Sequence, residues 1–194
     1  MVVDRPFDPF RSISNVLIDL RYGSWLWGSE PTKFRHLGAY GIGNVSYNDL
    51  SHIFPDGAIG AHDVLVDLGC GKGRVLNWWL KQYRGRNQLI GIEIDPYWAA
   101  RTRHRLSGHA SCTVIQGNVL DILPGLDAQV FFMFNPFNEP VMKGVETILR
   151  GKNVRLFYYL PKHIAVWQNG HWDIETKSMP NLEHYYPLAV IRSR

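Results

Sequence analysis

The chain has 194 residues, 45% hydrophobic and 20% charged, which is enough for one domain whose core needs no disulfides. Its two cysteines, Cys70 in a glycine-rich loop and Cys112 in an apolar run, show neither zinc nor disulfide spacing, so a reducing, cytoplasmic compartment is expected. The net charge of +4 allows an anionic partner without demanding one, and no run is long enough to span a bilayer.

The opening MVVDRPFDPF lacks the basic end and apolar stretch of a signal peptide. Ile13, Val16, Leu17 and Leu20 recur at helical spacing and predict a short amphipathic helix near 12–21. Residues 22–47 mix Trp25, Trp27, Phe34 and Tyr40 with five glycines. So many glycines argue against one continuous helix, and so many aromatics argue against a solvated linker. Residues 1–60 are therefore expected to form an arm packed on a main domain at 61–194.

From residue 63 the pattern alternates. Strands are expected at 64–68, 89–94, 112–115, 130–134 and 154–160, and helices at 73–83, 96–108 and 139–150. Asp95 before Pro96 offers a cap acceptor followed by a residue that needs no N–H. Asn138 is placed to cap the helix of Val141, Val145, Ile148 and Leu149. Two closing strands, 172–177 and 188–192, follow without a helix between them, joined by a turn-rich connection holding Pro180 and Asn181. Alternation of this kind implies an α/β fold, a doubly wound, mostly parallel sheet with an antiparallel C-terminal hairpin. Ligands bind such sheets beyond the strand carboxyl ends, where the strand order reverses.

Three sequence segments fall on strand ends together with a fourth after the fourth strand. VLVDLGCGKGRVL (64–76) runs a strand into a glycine turn. The dinucleotide fingerprint would need its third glycine at position 74, which is Arg74, and a Walker loop would need Ser or Thr after Gly-Lys. LIGIEIDP (89–96) sets Glu93 at a strand end, where a carboxylate can accept hydrogen bonds from both hydroxyls of a ribose. Asp95 suits capping better. VIQGNVLDI (114–122) brings Asn118 and Val119 to a third strand end, with Asp121 as a loop or helix-start residue. VFFMFNPFNEP (130–140) carries Asn135, Pro136 and Phe137.

These segments resemble motifs of the class I, seven-stranded S-adenosylmethionine-dependent methyltransferases over residues 62–192. The resemblance implies S-adenosyl-L-methionine as cofactor and S-adenosyl-L-homocysteine as product. It implies that Asp67, Gly69, Cys70, Gly71 and Gly73 line the methionine end and Glu93 holds the ribose. The adenine would meet Asn118, where the commoner residue is acidic, and the N–H of Val119. Asn135-Pro136-Phe137 resembles the Asn-Pro-Pro-Tyr/Phe signature of amino methyltransferases with one proline missing. In those enzymes the Asn side chain and a backbone carbonyl accept from the target nitrogen while the aromatic packs on the acceptor. N-methylation of an amine or amide is the favoured expectation. The alternatives are O-methylation of a small metabolite or sugar, motivated by the aromatic arm, and a non-catalytic cofactor-binding module.

A displacement at methyl carbon needs no protein nucleophile. Among the histidines none has metal-ligand spacing. His163, after the fifth strand, and Tyr40 or Tyr47 in the arm are the expected acceptor contacts. Arg101, Arg103, His104 and Arg105 read as a solvated helix face, so a nucleic-acid partner is not favoured, and the acceptor is unidentified. Such N-terminal extensions often cover the cofactor, and Trp25 and Trp27 are the candidate cover.

Overall fold

A computed structural model describes residues 9–179 and 186–194. The sheet has seven strands in the order β3-β2-β1-β4-β5-β7-β6. They are β1 (Leu65–Leu68), β2 (Leu89–Glu93), β3 (Cys112–Gln116), β4 (Val130–Phe134), β5 (Arg155–Tyr159), β6 (Trp172–Lys177) and β7 (Leu188–Ser193). The first five are parallel, and β7 enters antiparallel between β5 and β6. The expected hairpin thus closes the sheet with its second strand inside and its first at the edge. The connection holding Pro180 and Asn181 lies outside the described residues.

Successive strand residues feed opposite cores. Leu65, Val130, Phe132, Phe157 and Tyr159 face one side, whereas Val66, Phe131, Met133, Leu156 and Tyr158 face the other. Burial on both faces explains why these strands read as continuous apolar runs rather than alternating ones. Helices α3 (Arg74–Tyr83) and α4 (Pro96–Leu106) cover the first face, and the short α5 (Val119–Ile122) and α6 (Glu139–Leu149) cover the second. The caps expected from sequence are present: Asp95 accepts from Tyr97 N at 2.9 Å, and Asn138 accepts from Val141 N at 3.2 Å.

The N-terminal region holds helix α1 (Pro9–Arg21) and a second helix, α2 (Tyr47–Ile53), that was not expected. Its signal was present. Ser46 accepts from Asp49 N at 3.0 Å, and Tyr47, Leu50 and Ile53 recur at helical spacing on its buried face. Phe54, just past that helix, packs among Trp78, Trp79, Phe132 and Phe157 with ring centroids 4.8–5.7 Å apart. Residues 45–54 are therefore part of the first core, and the arm proper ends before them.

Helix α1 packs with its polar side inward. Asp19, fully buried, accepts from both Arg74 Nη2 at 2.5 Å and Tyr47 Oη at 2.7 Å. Asn15 accepts from Tyr47 N at 2.9 Å. A carboxylate held by a bidentate guanidinium and a hydroxyl has its buried charge compensated. This network fastens α1 to the start of α3, directly behind the glycine turn.

Candidate functional site

The strand order reverses between β1 and β4, since β1 pairs with β2 on one side and β4 on the other. The glycine turn leaves β1 at that point. Gly69, Gly71 and Gly73 all have positive φ. At Gly69 a Cβ would meet Pro136 Cβ at 2.9 Å, and at Gly71 it would meet Ile42 Cγ2 at 2.8 Å. Glycine is required at both, by conformation and by the close approach of the β4 loop and of the arm.

Glu93 ends β2 beside this turn. Its Oε2 accepts from Gly71 N at 2.7 Å and its Oε1 from Asp95 N at 2.9 Å. One carboxylate thus braces the glycine turn and the start of α4 together, a link between motifs that the sequence did not disclose. Burial pushes the Glu93 carboxyl up, and the two backbone N–H groups hold it back. Asp67, buried in β1, is pushed well above the ordinary carboxylate range by burial and then by the Glu93 charge. Two neighbouring buried carboxylates without a described cationic partner form an electronegative cradle.

The cleft in front of it contains about 780 Å³ of space, open solvent at its mouth included. Its floor is Gly69, Glu93, Asn118, Val119, Pro136 and Phe137. Six of the residues singled out from sequence, which lie up to 68 positions apart in the chain, therefore share one surface. Asp67, Cys70, Gly71 and Gly73 lie behind that floor rather than on it. The Cys70 side chain turns towards β2, where a Cβ on Gly91 would meet its Sγ at 2.7 Å. Burial raises that thiol. Asn118 Oδ1 accepts from Leu120 N at 3.0 Å, capping α5.

Asn135 has φ +39° and is buried. Its Oδ1 accepts from Tyr158 Oη at 3.0 Å, a phenol that burial has pushed up to about 12. Tyr158 Oη in turn accepts from His163 N at 3.2 Å. The roof is the arm. Ala39 bridges to Phe137, Tyr40 N donates to Pro136 O at 2.8 Å, and Asn138 N donates to Gly38 O at 2.8 Å. Tyr40 and His163, 123 residues apart, meet at 3.2 Å between Oη and Nε2. Trp25 and Trp27 do not line the cleft. They are exposed, and Thr32, Leu37 and Tyr40 to Gly43 form the cover instead. The buried Lys72 fastens the preceding part of the arm to the glycine turn, donating to Trp27 O, Gly28 O and Glu30 Oε1 at 3.0–3.2 Å. Among the described residues there is no His, Cys, Asp and Glu cluster able to hold a metal, and no helix is long and apolar enough to cross a membrane.

This sheet order, with ligand-facing loops on β1, β2, β3 and β4, is the class I methyltransferase fold. Residues 65–150 match the family model described as a methyltransferase domain. Fibrillarin from Aeropyrum pernix, solved with natively bound S-adenosyl-L-methionine, is similar at TM-score 0.60 and 10% identity, over 89% of this chain and 86% of that one. A SAM-dependent O-methyltransferase from Thermotoga maritima is similar at TM-score 0.60 and 14% identity, over 78% of this chain and 67% of that one. MtNAS, solved with MTA and tNA, gives TM-score 0.61 and 14% identity over 76% of this chain, which spans only 60% of MtNAS. No curated protein matches the sequence.

Proposed function

We propose that the chain binds S-adenosylmethionine in this cleft and transfers its methyl group to an acceptor that enters beneath the arm. The observation that carries the reading is the meeting of the glycine turn, Glu93 and the Asn135-Pro136-Phe137 loop at the sheet's reversal point. The residues fit the cofactor. Glu93 faces the cleft with a carboxylate suited to ribose hydroxyls, and Asn118 and Val119, which line the same cleft, would meet the adenine. When bound, the cofactor supplies an activated methyl group. The protein orients it, excludes water under residues 37–43, and disposes of the acceptor's proton.

Both oxygens that an amino methyltransferase would offer a target nitrogen already accept a hydrogen bond: Asn135 Oδ1 from Tyr158 and Pro136 O from Tyr40 N. Tyr40 lines the cleft and shares a hydrogen bond with the His163 imidazole, a pair that can pass on a hydroxyl's proton. This favours a hydroxyl acceptor. N-methylation is the second reading, because each oxygen keeps one lone pair facing its surroundings and Phe137 lines the cleft.

Incubation of the pure protein with methyl-labelled cofactor and fractionated cell extract tests the proposal. A labelled product supports it, and saturable cofactor binding with no labelled product in any fraction would instead favour a binding module. With that product in hand, His163→Ala and Tyr40→Phe should cut turnover most if the acceptor is a hydroxyl. Asn135→Ala should do so if it is an amine.

A further inference from the structure

Helix α1 is inverted relative to an ordinary surface helix. Asn15 and Asp19 are buried, whereas Ile13, Leu17 and Leu20 are 54%, 63% and 54% exposed. Those three recur at i, i+4 and i+7, one stripe on one face. The chain continues into Trp25 and Trp27, 63% and 48% exposed, so five of the eight large hydrophobic side chains that stand exposed among the described residues lie between positions 13 and 27. The stripe does not serve the cleft, whose lining it does not enter.

The surroundings are basic. Arg21 is exposed in the last turn of the helix. The turn that follows borders a depression where Gly23 and Ser24 meet Trp98, Arg101 and His104, and no carboxylate among the described residues lines it. The Arg101 guanidinium lies over the rings of Tyr97 and Trp98, 5.4 and 5.9 Å from their centroids. No described carboxylate forms an ion pair with Arg21, Arg101 or His104. A second copy of the chain would bring like charge to like charge, since each carries a net +4.

We propose that this face docks on an anionic lipid surface, with Leu17, Leu20, Trp25 and Trp27 entering the boundary between headgroups and acyl chains and Arg21 and Arg101 facing lipid phosphates. Apolar side chains on one helix face, tryptophans at its end and flanking arginines are what an interfacial helix requires. The association is peripheral and reversible, because so few side chains enter the bilayer.

The test is co-sedimentation of the full chain with phosphatidylcholine vesicles, with or without about one-third phosphatidylglycerol. The expected result is binding to the anionic vesicles only, weakened by added salt, with Leu17→Glu and Trp25→Ala each lowering the partition roughly tenfold. Arg101→Glu, which leaves the helix intact, should lower it as well. Circular dichroism and S-adenosylhomocysteine binding should be unchanged in all three variants. Equal binding by Leu17→Glu, or no preference for anionic vesicles, would overturn the proposal. So would a wild-type dimer in sedimentation velocity that Leu17→Glu dissolves, or retention of a single-stranded RNA probe that depends on Arg101 but not on Leu17 or Trp25.

Discussion

Asp67→Asn separates stability from ligand binding. The aspartate is 3% exposed, and burial followed by the Glu93 charge raises its carboxyl. A group whose folded-state pKa is raised contributes stability below its unfolded pKa, and that contribution is lost as pH rises through the folded value. Folding therefore works against this ionisation at neutral and alkaline pH. Asparagine keeps the shape and removes the charge. No described hydrogen bond to the carboxylate is lost with it, because only burial and Glu93 shift the group. A buried, uncompensated polar group costs about 1–3 kcal/mol and a charge more, so the variant should gain about 1 kcal/mol or more at pH 8. In a chain of this length that raises Tm by roughly 2–4 °C per kcal/mol. The gain should shrink towards pH 4, where the folded wild-type carboxyl is protonated and the unfolded one, at its ordinary value of 3.8, is close to half protonated. Binding of S-adenosylhomocysteine should weaken about tenfold, a loss of about 1.4 kcal/mol. Urea melts across pH 4–8 and calorimetry read both effects. A variant that is less stable at pH 8, or that binds unchanged, would refute this reasoning.

Gly71→Ala should weaken the same ligand and destabilise the fold by about 1–2 kcal/mol, because the residue sits at φ +50° and its methyl would meet Ile42 Cγ2 at 2.8 Å. Binding and urea melts check this. Asp19→Ala leaves Arg74 charged in a buried position and removes the acceptor of Tyr47. A loss of about 3–5 kcal/mol is expected, with faster cleavage of the arm in limited proteolysis. Ligand should protect residues 30–43 from protease, since they roof the cleft, while the emission of Trp25 and Trp27, read in a Trp98→Phe background, should barely change.

Sheet, caps and strand-end motifs were legible because each depends on local pattern. Leu65 to Leu68 had to be buried on two faces, and Asp95 and Asn138 announced their helices. What escaped depends on contacts distant in sequence. Nothing near Lys72 signals that its ammonium clasps Trp27 and Gly28, and nothing near Asn135 signals that Tyr158 takes its oxygen. Helix α2 was hidden by glycines upstream, although the Ser46 cap and the spacing of Tyr47, Leu50 and Ile53 marked it. The arm misled through its tryptophans. Aromatic residues near a cofactor fold suggested a cover, whereas the side chain over the glycine turn is the aliphatic Ile42. The sequence puts Tyr40 and His163 independently on one side of the sheet, and only the fold makes them a pair.

The most direct measurement is calorimetric titration of the intact chain with S-adenosylhomocysteine, wild type beside Glu93→Gln. If a single carboxylate both braces the glycine turn and receives the ribose, the wild type should show saturable one-site binding. The variant should bind about 100-fold more weakly, the loss of one or two charge-assisted hydrogen bonds. No uptake by the wild type, or equal affinity in the two proteins, would contradict a cofactor site built on Glu93.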